Sequence, residues 1–373
     1  MPSEFALIER HFARRARAAA AAQAADKTAA TGIFTALGIG DDCALLTPTV
    51  GSQLAVSTDT LVAGRHFFDD VDPAALGHKA LAVNLSDLAA MGAMPRAFTL
   101  ALTLPQADDK WLAAFADGLF ALADRYRCEL VGGDTTGGPL AINITVFGEV
   151  ESGRALRRDG AQAGDDIWVT GTLGDARLAL GLRRGEWLAP TLSAAQLAQL
   201  QCAMERPEPR VAAGQALRGI AHAALDLSDG LAGDLAHILE RSGVRAIVDV
   251  DAMPRSSILS RQPLAVQRLC GIAGGDDYEL CFTASATMRA AIATQAAELA
   301  LPITRIGRIV SDAAQARAYA PHAPDPQAPG GADQPSQTLV HDNSYIVWQD
   351  GAGHSLPPAE AAAFRGFEHF HAD

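Results

Sequence analysis

Short β-rich runs and Ala- and Leu-rich helical runs alternate along the whole chain, and this alternation limits the possible folds most strongly. Interleaved strands and helices build layered structures in which helices cover the faces of sheets. In the first half, "QLAVSTDTLV" (53–62), "RAFTLALTL" (96–104), "CELVGGDTT" (128–136, ending in a turn) and "LAINITVFGEV" (140–150) read as strands. Between them, "PAALGHKALAVNLSDLAAMGA" reads as a helix, with Asp72 as N-cap, Pro73 at its first position and Gly92 near its end. "DDKWLAAFADGLFALADRY" reads as an amphipathic helix. The second half restarts with "DIWVTGTLG", then "AALDLSDG", "RAIVDVDAM", "DDYELCFTA" and "ITRIGRIV" as strands. Helices are expected at "LAGDLAHILERSG" and near 285–300.

A chain of 373 residues is too long for one ordinary core, so two mixed α/β domains are expected. The segment "ESGRALRRDGAQAGDD" sets the boundary, giving domains at 1–150 and 151–373. Residues 319–337, rich in Pro, Gly, Ala and Gln, have little to bury and read as a disordered or exposed insertion within 313–340. The N-terminal "EFALIERHFARRARAAAAAQAADKTAA" reads as a short helix followed by a flexible Ala-rich loop near 20–31. Glu4 and Glu9 are wrong for a transit peptide.

Apolar residues at 49% and charged residues at 20% describe a soluble globular protein. A net charge of -13 argues against a nucleic-acid or anionic-membrane binder. No apolar run approaches ~18 residues, so no membrane span is expected. The five scattered cysteines, without a C-x-x-C, fit a reducing cytoplasm and neither a disulfide framework nor a zinc site.

The acidic residues carry the chemistry. Many fall at strand ends beside Gly, Ser or Thr: Asp42 in "GIGDDCALL", Asp59 in "VSTDT", Asp134 in "VGGDTT", Asp226 and Asp229 in "LDLSDG", Asp276 and Asp277 in "GGDDYEL". Asp87 lies within an otherwise apolar helix, where an unpaired carboxylate costs several kcal/mol. Adjacent Asp41 and Asp42, beside a strand-like run, are expected to be partly buried. Two such charges ~4 Å apart repel by about 4 kcal/mol at an effective dielectric of 20.

Any one of these aspartates taken singly is an ordinary N-cap or turn residue. The same pattern at five places is harder to explain that way. The motif segments contain almost no Lys or Arg, so divalent cations are the economical counter-charge. Oxygen donors suit Mg2+ or Ca2+, and several Mg2+ ions could share a polyphosphate. Ser57, Thr58 and Ser228 are turn residues or supporting donors, His66 an ordinary histidine, and Arg158 a surface charge, unless the site uses them. No P-loop, G-x-G-x-x-G after a strand, G-x-S-x-G, H-E-x-x-H or kinase catalytic-loop pattern occurs.

Seven motifs, "GIGDDCAL", "STDTLVAGRHF", "KALAVNLSDLAAMGAMP", "LVGGDTT", "VTGTLG", "LDLSDGLAGDL" and "GGDDYELCFT", stand together in an order and spacing that resembles the thiamine-monophosphate kinase family. That family belongs to the superfamily of aminoimidazole ribonucleotide synthetase, selenophosphate synthetase and the hydrogenase-maturation dehydratase. The resemblance implies an aminoimidazole ribonucleotide synthetase-like fold of two α/β (α+β) domains, with N-terminal sheets pairing in a cytoplasmic homodimer. The N-terminal domain would bind ATP and Mg2+. The resemblance also implies direct transfer of the ATP γ-phosphoryl group to the phosphate of thiamine monophosphate, the last step of thiamine diphosphate biosynthesis.

Carried onto this sequence, it makes Asp42, Ser57, Thr58, Asp59, Asp87, Asp134, Asp226 and Asp229 ligands of several Mg2+ ions. Gly133, Asp134, Arg158 and Ser228 become ATP contacts, and His66, Asp276 and Phe367 substrate contacts. Two positions depart from the family pattern: Asp276 stands where Glu is usual, and Phe367 where Tyr or Trp is frequent. Three rivals stand beside this reading. A selenophosphate synthetase would want a reactive Cys in the first 42 residues, which contain none. A Ca2+-binding module would carry contiguous D-x-D-x-D-G loops, also missing from the sequence. A Mg2+-dependent phosphohydrolase would release inorganic phosphate.

Overall fold

The computed structural model describes residues 4–25, 34–187, 192–311 and 345–366. The Pro- and Gly-rich insertion, Phe367 and the "DKTAA" stretch lie outside the described residues. At the N-terminus, α1 (Glu4–Ile8), a π-helical turn (Glu9–Ala13) and α2 (Arg14–Ala25) form one helical segment. The expected Ala-rich loop is therefore helical as far as Ala25, as alanine's helix propensity favours. Arg10 and His11 anchor the segment on Asp109, each at 2.8 Å.

Two short strands, β1 (Thr35–Leu37) and β2 (Leu45–Leu46), precede a four-stranded sheet. It is built from β3 (Ser52–Val62), β4 (Met94–Leu104), β5 (Glu129–Gly137) and β6 (Ala141–Glu151) in the order β3-β6-β4-β5. β4 and β5 are parallel, joined by α4 (Asp109–Tyr126) as a βαβ unit. β3 returns to β4 through α3 (Pro73–Ala90). α3 starts where its sequence signals place it: the Asp72 carboxylate accepts the Ala75 N–H at 2.8 Å, and Pro73 follows. Both helices cover one face of the sheet around Phe98, Phe115, Leu81 and Leu85. They cross at glycines. A Cβ on Gly77 would sit 2.0 Å from the Phe115 carbonyl oxygen, and one on Gly118 1.8 Å from that of Ala74.

The opposite face of this sheet is open along β3 but covered in part elsewhere, where Phe34, Ala44 and Leu46 pack against Ala97, Val131 and Phe147. Along β3, Leu61 points inward at 6% exposure, whereas Leu54, Val56 and Val62 are 42%, 57% and 38% exposed. That alternation is the period of two of a strand with one buried face.

The C-terminal half forms a six-stranded sheet from β7 (Asp165–Thr170), β8 (Ala223–Asp226), β9 (Val244–Asp249), β10 (Leu280–Ser285), β11 (Ile303–Ser311) and β12 (Ile346–Gln349). Its order is β12-β9-β11-β7-β10-β8, antiparallel except for β12 on β9. Its helices include α5 (Asp175–Arg184), α6 (Ala194–Glu205), α7 (Val211–Ala216) and α8 (Leu231–Ser242). A second core gathers Ile167, Val169, Leu235, Val248 and Cys281. The first core does not stop at the N-terminal domain: Val211, Leu217, Tyr278, Leu280 and Phe282 join it. The two halves therefore share apolar contacts, with β8 at the sheet edge brought against α3.

"DDYELCFTA" departs from its expected strand. Only Leu280 onward is extended in the sheet, because Asp276 and Tyr278 are left-handed, with φ of 65° and 50°.

Candidate active site

The seam between the halves opens into a cleft of about 780 Å3. The N-terminal wall comes from β3, the 62–71 loop and one face of α3; the C-terminal wall comes from α5, the turn after β8 and the 273–278 segment. Asp59, Asp87, Asp226 and Asp229 all line it. Three separate stretches of sequence thus bring four carboxylates to one place.

Two of these carboxylates are held by hydroxyls. The Ser57 hydroxyl donates to Asp87 Oδ2, and Ser86 donates to Asp226 Oδ2 at 2.7 Å. Asp234, at the start of α8, accepts the N–H groups of Asp229 and Gly230 at 3.0 and 3.1 Å, which fixes the "LSDG" turn. Burial, followed by the charges of Asp87 and Asp229, pushes the Asp59 carboxyl up to about 6. Burial also raises Asp87 and, with the Asp87 charge, Asp226. Arg158 is exposed but close enough to oppose both of these shifts.

Ser228, His66 and Asp276 line the same cleft. His66 Nδ1 accepts the Val62 N–H at 2.9 Å, so the neutral ring carries its proton on Nε2. Thr58 stands at the rim, its hydroxyl given to the Ile144 carbonyl at 3.0 Å.

Five of the expected site residues do not line the cleft: Ser57 stands behind Asp87 and Arg158 acts on it only as a nearby charge, while Asp42, Gly133 and Asp134 are not brought there. Asp42 and Asp134 are exposed and, with Gly133, lie outside the cleft lining. The partial burial expected for Asp41 and Asp42 is not found, and solvent relieves their repulsion. The Asp42 N–H donates to Asp41 Oδ1 at 2.9 Å, so Asp41 is turned into its own turn. Asp134 is in register with Ala101, Asn143 and Thr60, on the open face of the sheet. That places it three strands from β3, roughly 14 Å across. Arg365 and Gly366 line the cleft immediately before Phe367.

The fold also supplies what the motif reading overlooked. Lys79, Arg65, Arg177, Arg184 and Arg365 line the cleft, although the acidic motifs themselves contain almost no cations. Arg65 and Lys79 stand six and eight residues from Asp59 and Asp87, whereas Arg177, Arg184 and Arg365 come from segments distant in sequence. Lys79 had the same signal as Asp87, a charge within an apolar helix, at i and i+8 on one face.

The chain matches the family described as AIR synthase related protein, N-terminal domain, over residues 40–150, and its C-terminal domain counterpart over 162–318. It is 48% identical to thiamine-monophosphate kinase of Salmonella typhimurium (strain LT2) over 311 residues, 83% of this chain and 91% of that protein. The chain belongs to the thiamine-monophosphate kinase family. Membership extends to Bacillus subtilis (strain 168) thiamine-monophosphate kinase, at 37% identity over 73% of this chain and 85% of the relative. A solved thiamine-monophosphate kinase from Stenotrophomonas maltophilia K279a superposes with a TM-score of 0.74 at 50% identity, covering 83% of this chain and 94% of the other. AaThiL complexed with AMPPCP and TMP superposes at 0.63, with 31% identity over 71% and 83% of the two chains. The aminoimidazole ribonucleotide synthetase-like fold expected from the motifs is therefore the fold of this kinase family member. No helix among the described residues is long and apolar enough to cross a membrane.

Among the described residues, no group of three or more His, Cys, Asp or Glu side chains lies close enough to cage a metal unaided. The donor chemistry nevertheless fits Mg2+, which takes one or two carboxylates and fills its other positions with water and substrate phosphates. Partly and fully buried carboxylates that raise one another's proton affinity are what a bound cation would relieve.

Proposed function

We propose that this enzyme transfers the γ-phosphoryl group of ATP directly to the phosphate of thiamine monophosphate, making thiamine diphosphate and ADP. One observation carries the reading. Carboxylates of both domains meet in a cleft that runs along α3, and away from them, about 16 Å along the helix axis from Asp87, Leu76 adds to a lining that includes Phe67, Val71 and Leu180. The charged end suits two phosphate groups and their counter-ions, and the apolar end suits a heteroaromatic body. The complex of AaThiL with AMPPCP and TMP supports the same pair of ligands.

Phosphoryl transfer needs alignment and charge neutralisation more than covalent help. A phosphate acceptor is already an anion, so no strong general base is required. Asp59, Asp87, Asp226 and Asp229, with Ser57 and Thr58 beside them, would hold Mg2+ in the cleft, and Asp42 and Asp134, outside it, would serve separate ions. Magnesium bound there would neutralise the charge between the two phosphate groups. Ser57 and Ser86 keep two of the carboxylates oriented. Arg158, Ser228, Gly133 and Asp134 would contact ATP, and His66, Asp276 and Phe367 the acceptor.

A homodimer belongs to the same proposal. The open face of the N-terminal sheet exposes Leu54, Val56 and Val62 beside the row that carries Asp134. Pairing two such faces would bury them and bring the exposed Asp134 toward a second chain.

The test is mass identification of the products from ATP, MgCl2 and thiamine monophosphate. Thiamine diphosphate and ADP in equal amounts are expected. Inorganic phosphate without thiamine diphosphate would indicate a phosphohydrolase.

A further inference from the structure

The cleft holds a second charged cluster, separate from the four carboxylates. Lys79 on α3 is 4% exposed, and its ammonium donates to the Met204 carbonyl and to Asp276 Oδ2, both at 3.0 Å. The other carboxylate oxygen of Asp276 accepts the Tyr278 hydroxyl at 3.1 Å. Lys79 belongs to the N-terminal half and the other three members of the cluster, Met204, Asp276 and Tyr278, to the C-terminal half, so the cluster bridges the seam.

Two features separate this cluster from an ordinary structural tie. A buried ion pair is a costly way to gain stability, since apolar groups of similar volume hold as well or better. Here Leu76 and Val83 already pack beside Lys79, yet a charge stands between them and faces the cleft. The backbone around Asp276 is also held in an uncommon state. Asp276 and Tyr278 both have positive φ, and residues strained in this way cluster at functional sites.

The position along the cleft gives the role. Lys79, Val83 and Asp87 stand on one face of α3 at i, i+4 and i+8. Eight residues of helix put Lys79 about 12 Å along the axis from Asp87. The carboxylate end of the cleft is the end for phosphates, so the Lys79 end faces whatever the acceptor carries away from its phosphate. In thiamine monophosphate that part is an aminopyrimidine, a planar ring with an amino donor. A carboxylate oxygen accepts more than one hydrogen bond. Asp276 can therefore take an amino N–H while Lys79 and Tyr278 hold it.

We infer that Lys79 is a positioning residue for the acceptor: acting through Asp276, it fixes the end of the cleft that grips the heteroaromatic part of the substrate. This deepens the kinase reading above and rests on it. Lys79 itself need not touch substrate. It holds Asp276 from across the seam, and Tyr278 holds it from the same loop.

The experiment is steady-state kinetics of the full-length enzyme, with thiamine monophosphate and ATP varied separately, for wild type, Lys79→Met, Lys79→Arg and Tyr278→Phe. Lys79→Met keeps the length and removes the charge. It is expected to raise the KM for thiamine monophosphate tenfold or more while the KM for ATP moves less than twofold, and Lys79→Arg to recover part of that loss. A purely structural tie would raise both constants together or neither, and either result overturns the inference. If Lys79→Met fails to fold, Tyr278→Phe decides. A several-fold rise confined to the acceptor KM supports the role, and an unchanged acceptor KM refutes it. A wild-type enzyme inactive on thiamine monophosphate removes both the kinase reading and this inference. An active wild type with unaltered variants removes the inference alone.

Discussion

Ser86 on α3 donates its hydroxyl to Asp226 at the end of β8, 2.7 Å away, and so joins the two domains at the acidic end of the cleft. The next residue, Asp87, receives the hydroxyl of Ser57 from β3. Consecutive residues of one helix thus set the spacing between a carboxylate of the N-terminal half and one of the C-terminal half. A helix turned by one residue would lose both contacts, which makes the start of α3 at Asp72 and Pro73 part of the site's geometry.

Metal-free stability should fall as pH rises. Burial holds the Asp59 carboxyl near 6, and burial with neighbouring charge raises Asp87 and Asp226 above the usual carboxylate range. The folded state therefore binds more protons than the unfolded state above about pH 4, and ionisation costs stability as pH passes through the folded values. Asp226→Asn cannot ionise, and its amide oxygen can still accept from Ser86. In a chelator it should unfold at a higher temperature than wild type at pH 8, with the gap closing toward pH 5. Adding MgCl2 should stabilise wild type more than the variant. A gap that stays constant from pH 5 to 8 would refute this account of the cluster.

Asp87→Asn keeps the size of the side chain and removes its charge. Turnover should drop at least ~100-fold, about 2.7 kcal/mol of transition-state stabilisation, and the Mg2+ concentration for half-maximal rate should rise. Magnesium titration of the activity reads both effects. Turnover within tenfold of wild type at the same Mg2+ dependence would remove Asp87 from the site.

Arg210 and Glu279 form a mostly buried pair between the α7 start and the β10 start, with Arg210 Nε 2.7 Å from Glu279 Oε2. Glu279 is 4% exposed and also accepts the Thr170 hydroxyl at 2.6 Å. Arg210→Ala leaves that charge buried, at a cost of about 3–5 kcal/mol. The exposed Arg157–Asp159 pair is the control, and Arg157→Ala should leave the urea midpoint unmoved. Equal losses for the two variants would contradict the burial argument.

Gly133 has φ of 150°, and a Cβ there would stand 1.9 Å from the Leu100 carbonyl oxygen. Gly133→Ala should therefore cost about 3 kcal/mol by forcing β5 away from β4. Chemical denaturation measures it. A loss below ~0.5 kcal/mol would mean that the edge strand relaxes freely.

How far the sequence could be read varies with the physics involved. Local signals were legible: the cap at Asp72, the alternation along β3, and the single charges that mark Asp87 in an apolar helix. The convergence of Asp59, Asp226 and Asp229 on Asp87 was legible only as a strand-end pattern shared by the first three, because their meeting depends on how the two sheets dock. Lys79 escaped notice since its partner, Asp276, is almost two hundred residues away. The left-handed turn at Asp276 and Tyr278 was hidden by an alternating "DDYEL" that reads equally well as a strand. Asp42 looked partly buried from its apolar neighbours but lies exposed, because β1 and β2 form a small two-stranded ribbon outside the main sheet.

The central claim is that the acceptor is a phosphate. A cleft with four carboxylates at one end suits an anionic nucleophile that shares their counter-ions, and leaves a neutral hydroxyl without that attraction. The most direct measurement is the rate of ADP formation with thiamine monophosphate and with thiamine, side by side at equal ATP and MgCl2, with each product identified by mass. The account predicts thiamine diphosphate from the monophosphate and no appreciable turnover of thiamine. Comparable turnover of the two acceptors would contradict it.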